Sequence, residues 1–400
     1  MNNNILTTEK ERLWNGNYIK AMIANFSMFF AFYLLTPLLP VYLSETFHAT
    51  KDMIGFVLFG YTIAALTVRP FSGYMADSLD RRKVLMACLA VNSLFFAGYL
   101  MATSLLLFAL VRTIHGAPFG ASTVAVNTAV IDVLPSSRRN EGIGYFGLSN
   151  NIATAIAPTV GIMIYHYTGN FKILFWMAFA VAVMGMAAST AIRLPQKAVE
   201  RRCPRRPLDR FFLMRGWLIA VNIIFFGLCY GVLSNYLAIY GKERLGISGG
   251  TGTYFMTLAI GLILSRLQGS KSLRKGKLTR NAVEGIALST IGYTLFVACP
   301  NMAGYYASAL LIGLGNGHLW PAIQNMIIKT AHHYERGTAT STMLTSWDLG
   351  QGIGILTGGV VSEHLGYASA FWGIAVIHVL GMFLFISRTR NFYRKNVISE

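Results

Sequence analysis

Three charges sit where the chain is otherwise apolar, and they set the chemistry to be explained. Arg112 lies in "LFALVRTIHGAPFGASTVAVNTAVIDVLP", one turn before His115. Asp348 lies in "TSWDLGQGIGILTGGVV", with Trp347 and Gln351 beside it. Asp77 lies in "RPFSGYMADSLDRRKVL", just ahead of a dense cationic run. A charge at the centre of a bilayer costs at least ~2.5 kcal/mol, so an arginine or aspartate there faces a cavity or a partner. Desolvation favours the neutral form of a carboxylic acid, which is the property a proton carrier needs. Imidazole changes charge near neutral pH, so His115 joins this group, with a structural hydrogen bond as the equal alternative. The stretch "GLGNGHLWPAIQN" adds His318 and Gln324. It is too polar for a helix facing lipid all round, so one face is expected to line a cavity.

The elements that must hold these residues follow from composition. The 400 residues are 54% hydrophobic and only 12% charged, against about 25% charged in a soluble domain. A membrane-spanning helix needs about 20 apolar residues. Twelve such runs are readable: 19–43, 52–76, 82–101, 104–131, 140–166, 170–193, 213–241, 249–269, 279–298, 302–330, 337–365 and 368–388. With both termini in the cytoplasm, the Lys and Arg residues gather on that side. Lys51, Lys172, Lys242 and Arg244 fall outside, and Arg112 lies within a span. This is the positive-inside pattern. The net charge of +18 therefore points to lipid headgroups and topology, not to nucleic acid. The densest block, "RLPQKAVERRCPRRPLDRFFLMR", separates six spans from six. The division is an N-terminal six-helix bundle, 1–193, a basic cytoplasmic linker, 194–212, and a C-terminal six-helix bundle, 213–400. The four cysteines have no metal-type spacing, and no metal or cofactor is expected.

The halves repeat one another faintly. "YTGNFKILFWMAF" and "LGYASAFWGIAV" occupy the same junction in each half, and superposing Trp176 on Trp372 brings Arg138 near Arg336. With one gap, Asn151 falls on Asp348. Transporters built from repeats place the solute site at the repeat interface near the midplane.

Arg69, Gly73, Asp77 and Arg81 recur every four residues, so a helix stacks them on one face. Gly73 and Ala76 permit close approach of another helix. At a helix end, Asp77 can pair with Arg81, Arg82 or Lys83, which suits a latch between two rigid bundles. Gly73-x-x-Ala76-Asp77-x-x-x-Arg81-Arg82-Lys83 resembles motif A of the major facilitator superfamily, with Asp80 in place of the usual glycine. Arg112-x-x-His115-Gly116 is similar to the family's motif B, and Ala157-Pro158-x-x-Gly161 to a degenerate motif C. "LLTPLLPVYL" resembles the proline motif of drug exporters, although span one carries no acid. The resemblance implies an all-α polytopic fold of twelve helices in two pseudo-symmetric bundles, working as a monomer in the cell's inner membrane. It implies proton coupling at Arg112, and it marks Asp348, in an Asp-Leu-Gly-x-Gly-x-Gly run, as similar to sugar-efflux members.

The expected function is proton-coupled export of a small organic solute by alternating access. Import of an organic acid or sugar is the alternative, and a non-transporting sensor the second. Arg112, His115, Asp348, His318, Gln324, Asn151 and Trp347 are the candidates for solute or proton. Arg69, Gly73, Asp77, Arg81, Arg82, Asp132 and Arg139 are those for the latch. Arg112 and Asp348, one per half, are expected to pair. No nucleotide loop or His-Glu-x-x-His site occurs, which argues against an enzyme.

Overall fold

The computed structural model describes residues 13–36, 38–49, 51–194, 210–246 and 251–398. Most of the basic linker, 194–212, lies outside the described residues. Among those described, twelve helices have 18 residues or more. The first half holds α1 (Gly16–Leu35), the short α2 (Leu39–Phe47), α3 (Lys51–Ser78), α4 (Arg81–Met101), α5 (Leu105–Val133), α6 (Arg139–Thr168) and α7 (Phe171–Thr190). The second holds α8 (Trp217–Leu245), α9 (Thr251–Arg274), α10 (Leu278–Ala298), α11 (Met302–Lys329), α12 (Arg336–Leu365), α13 (Tyr367–Leu384) and the short α14 (Arg390–Asn396).

Two boundaries differ from the sequence reading. Span one is not continuous, because α1 ends at Leu35 and the chain restarts as α2 with Pro40 in its first turn. Proline lacks the N–H that would continue a helix and fits a new first turn. Span twelve runs on through a turn of π-helix, Phe385–Thr389, into α14. The Asp80 that departs from motif A has a local role. Its carboxylate accepts the Lys83 N–H at 2.9 Å and caps α4, satisfying one of the free donors at a helix start.

Nine of the described helices are long and apolar enough to cross a membrane. α11 and α12 are long but fall short on apolarity, and α9 contributes a shorter apolar stretch, Gly252–Ser265. α11 buries His318, Gln324 and Asn325, and α12 buries a run from Thr338 to Thr342. Their polar residues face protein, as polar groups in a bilayer must. Large apolar side chains such as Phe56, Leu106, Leu356, Val376 and Phe383 face outward and form the lipid-facing belt.

The buried side chains fall into three clusters that define the shape. One cluster joins both halves at the linker end, with Val126, Val130 and Ile131 of α5 beside Ile323, Met326 and Ile327 of α11 and Met343 of α12. At the far end each half keeps its own core. Tyr42, Phe96, Tyr99, Phe108 and Phe175 pack in the first half. Tyr240, Tyr254, Phe296, Tyr305 and Phe371 pack in the second. Among the described residues the halves thus share a core only at the linker end.

α3 and α12 cross there glycine to glycine. A Cβ on Gly73 would stand 2.8 Å from the Gly337 carbonyl oxygen, and one on Gly337 would stand 2.7 Å from that of Gly73. Both obstacles are backbone, so neither can move aside. Gly337→Val should therefore hold the linker end open. Thiol-reagent labelling of a cysteine placed at Ser341, which is buried in the crossing, should rise from near zero to ready reaction; unchanged protection contradicts the crossing.

Candidate functional site

Of the residues expected at a latch, Arg69, Gly73, Asp77, Arg81 and Asp132 meet the second half. Asp77, at the end of α3, accepts the Gly337 N–H at 2.9 Å and the Thr338 N–H at 2.8 Å, and the Thr338 hydroxyl donates to it at 2.7 Å. It therefore caps α12 of the opposite half, where unpaired N–H groups and the helix dipole favour an anion. Arg81 pairs with Asp132 of α5, lies 3.5 Å from Asp77, and donates to the His333 carbonyl at 3.1 Å. Arg336 reaches the other oxygen of Asp132 at 3.3 Å. The result is an alternating cluster of charges, each facing its opposite.

A second set of ties closes the other flank. Glu141 of α6 accepts from Arg138 at 2.9 Å and from Arg274 of α9 at 3.0 Å. Gln324 donates to Asn127 at 3.2 Å, and Asn325 donates to the Asn140 carbonyl at 3.3 Å. Gln324 is thus a fastener between α11 and α5.

Asp348 and Arg69 form the deepest of these ties. Arg69 sits eight residues, about 12 Å, further along α3 than Asp77. Its guanidinium pairs with the Asp348 carboxylate and donates to the Leu344 carbonyl at 3.1 Å. The Ser341 hydroxyl donates to the Arg69 carbonyl. The Asp348 side chain keeps 19% exposure, the most of any carboxylate binding the halves together here. Around it stand Tyr33 of α1, within reach of Thr154 and close to both charges, and Tyr230 of α8. Trp347 packs on Tyr230 at 5.6 Å and on Trp320 at 4.9 Å between ring centres.

The expected Arg112–Asp348 pair is not formed, and Asp348 takes Arg69 instead. Arg112 is enclosed in the first half, with its guanidinium 3.9 Å from the centre of the Tyr61 ring and an N–H donated to the Tyr99 hydroxyl at 3.0 Å. The cation is held by aromatic faces, which attract it through their quadrupoles. His115 continues the chain, 2.6 Å from Tyr99 Oη and 3.1 Å from Asn92 Oδ1. Donor arithmetic fixes the directions. Asn92 Oδ1 only accepts, so His115 Nε2 carries the proton and Nδ1 accepts from Tyr99, whose oxygen then accepts from Arg112.

The remaining candidates have separate places. His318 is engaged with Asn281 of α10, its Nδ1 3.2 Å from Asn281 Oδ1 and its carbonyl accepting at 3.1 Å, within the second half. Arg82 donates to the Thr190 carbonyl at 3.0 Å, so it ties α4 to α7 and does not reach across the halves. Arg139 heads α6 close to Lys329. Asn151 is half-buried on α6, the helix that carries Thr154. Sequence reasoning missed Asn127, Arg274, Thr338, Tyr33 and Tyr230, which have no distinguishing type or spacing.

The family model for the Major Facilitator Superfamily matches residues 21–311 and 282–399. The chain belongs to the major facilitator superfamily. It is a multi-pass membrane transporter and not an enzyme. It is 22% identical over 360 residues to the staphylopine export protein of Staphylococcus aureus, covering 87% of this chain and 88% of that one. It is 24% identical over 367 residues to the MFS-type transporter YhhS of Escherichia coli, covering 87% and 86%. In fold it is similar to the human organic anion transporter MFSD10, with a TM-score of 0.78 at 15% identity over 92% of this chain and 99% of that one. It is also similar to FucP in the outward conformation, with a TM-score of 0.76 at 16% identity over 96% and 100%.

Tyr99→Phe removes both an acceptor and a donor from the Arg112–His115 chain. Leaving a buried donor unpaired costs about 1–3 kcal/mol. The thermal unfolding midpoint of the purified transporter should fall, while labelling at the α3–α12 crossing stays wild type. An unchanged midpoint contradicts the chain of hydrogen bonds.

Proposed function

We propose that this transporter exports a small organic solute from the cytoplasm in exchange for protons, by alternating access around the Arg69–Asp348 pair. The observation that carries the reading is the position of Asp348. It is the deepest tie between the halves, and its side chain keeps 19% exposure where Asp77, Asp132 and Glu141 keep 1–3%.

With the linker end in the cytoplasm, closure at that end is the outward-facing state. A proton arriving from outside meets Asp348, neutralises it and releases Arg69. The deepest tie is then broken, and the halves are free to part at the inner end. In the less acidic cytoplasm Asp348 loses the proton and the solute takes its place between the halves. Reclosure re-forms the ion pair and turns the solute outward. Proton and solute alternate at one carboxylate, which enforces exchange. Similarity over most of its length to a protein named as an exporter supports the outward direction.

Asp348→Asn removes the group that carries the proton in this cycle, so it should lower gradient-driven accumulation at least about tenfold. Everted membrane vesicles with an acidified lumen provide the assay. Full gradient-driven accumulation with Asp348→Asn contradicts the proposal.

A further inference from the structure

We infer that the transported solute carries both a cationic amine and a carboxylate, and that it binds by standing in for the Arg69–Asp348 pair. This deepens the proposed function and rests on that reading of Asp348 as part of the transport path.

Arg69 and Asp348 belong to opposite halves and satisfy each other only while the inner end is closed. When that end opens, the same two groups face one another across the solute path without a partner. The titratable neighbours facing Asp348 among the described residues are Arg69 from α3 and the Tyr33 phenol from α1, with Tyr230 of α8 beside Tyr33. Arg112 is already enclosed by Tyr61 and Tyr99. The open site therefore presents one carboxylate and one guanidinium, one on each wall.

A solute with a single charge would leave the other group uncompensated. A monocation pairs with Asp348 and abandons Arg69, and an anion does the reverse. Stranding one charge of a partly buried pair is the strongly unfavourable case. A solute with an amine and a carboxylate satisfies both walls at once, with the amine against Asp348 and the carboxylate forked onto the Arg69 guanidinium, whose planar donors match it. The rings of Tyr33, Tyr230, Trp347 and Trp320 then offer apolar faces to the body of the molecule.

The same geometry supplies the release step. As the halves close at the inner end, Arg69 and Asp348 come together and displace the two groups that had stood in for each. The solute holds well to the inward-open form and poorly to the outward-open form, the order of affinities an exporter needs.

The test uses everted membrane vesicles containing the full chain, with the small-molecule fraction of host cytosol as the probe and an acid lumen. Mass spectrometry reads what accumulates above vesicles carrying Asp348→Asn. The accumulated solutes should bear both an amine and a carboxylate. Arg69→Gln should shift the accumulated set, by at least about tenfold in ratio, toward amines lacking a carboxylate, and Arg69→Lys should restore the doubly charged set. Such a switch in charge type is not produced by a general loss of folding. If Arg69→Gln fails to insert, the charge type of the wild-type set decides alone. Accumulation of solutes with one sign of charge, or none, overturns the inference and leaves proton-driven export standing. Accumulation of nothing above the Asp348→Asn vesicles overturns the export reading and the inference with it.

Discussion

The contact on which the arrangement depends is one carboxylate set against the end of a helix from the other half. Asp77 accepts two backbone N–H groups at the start of α12. These donors have no partner within their own helix, so an anion there meets both hydrogen-bond and dipole attraction. The contact fixes where α3 meets α12, and the glycine pair at 73 and 337 lets the backbones approach closely enough to make it. Helices are rigid over this distance, so register set at the end is register set two turns deeper. Arg69 is thereby delivered to Asp348.

The ties that cross the halves, Arg336 to Asp132, Arg274 to Glu141 and Arg69 to Asp348, join groups that meet only in the closed state. Asp132 balances Arg81 and Arg336, Glu141 balances Arg138 and Arg274, and Asp348 balances Arg69. Opening exposes the groups at the linker-end rim to water, where they are solvated again, whereas Arg69 and Asp348, two turns deeper, are left facing the path between the halves. The carboxylates at the linker-end rim are well enclosed. Asp348 keeps the most exposure among them, 19%, and the proposed cycle brings its proton there.

Much of this was legible in the sequence. The positive-inside charges, the twelve apolar runs and the motif around Asp77 identify the fold and the latch because each records a local cost: a charge in lipid, a span too short, a helix end uncapped. The Arg112–Asp348 pairing was not legible. One buried charge in each half invites a pairing, but the two stand at different depths. Arg112 lies seven residues, about 10 Å, from the far end of its helix, whereas Asp348 lies seventeen residues, about 26 Å, from that end. Arg69 stands at the level of Asp348, but its place in a recognised latch motif hid it. Asn127 and Arg274 escaped for a simpler reason. An amide in an apolar helix and one cation among many acquire meaning only from what stands opposite.

Whether a proton on Asp348 unlocks the linker end can be read as a distance between the two halves. Spin labels at Lys83 and Lys275, exposed residues of the two halves near the latch, report the inner separation by double electron–electron resonance across a pH series. A population of longer distances should grow as pH falls in the wild type, and Asp348→Asn should show that population at every pH. A pH response that survives unchanged in Asp348→Asn would contradict the claim and move the proton to another group.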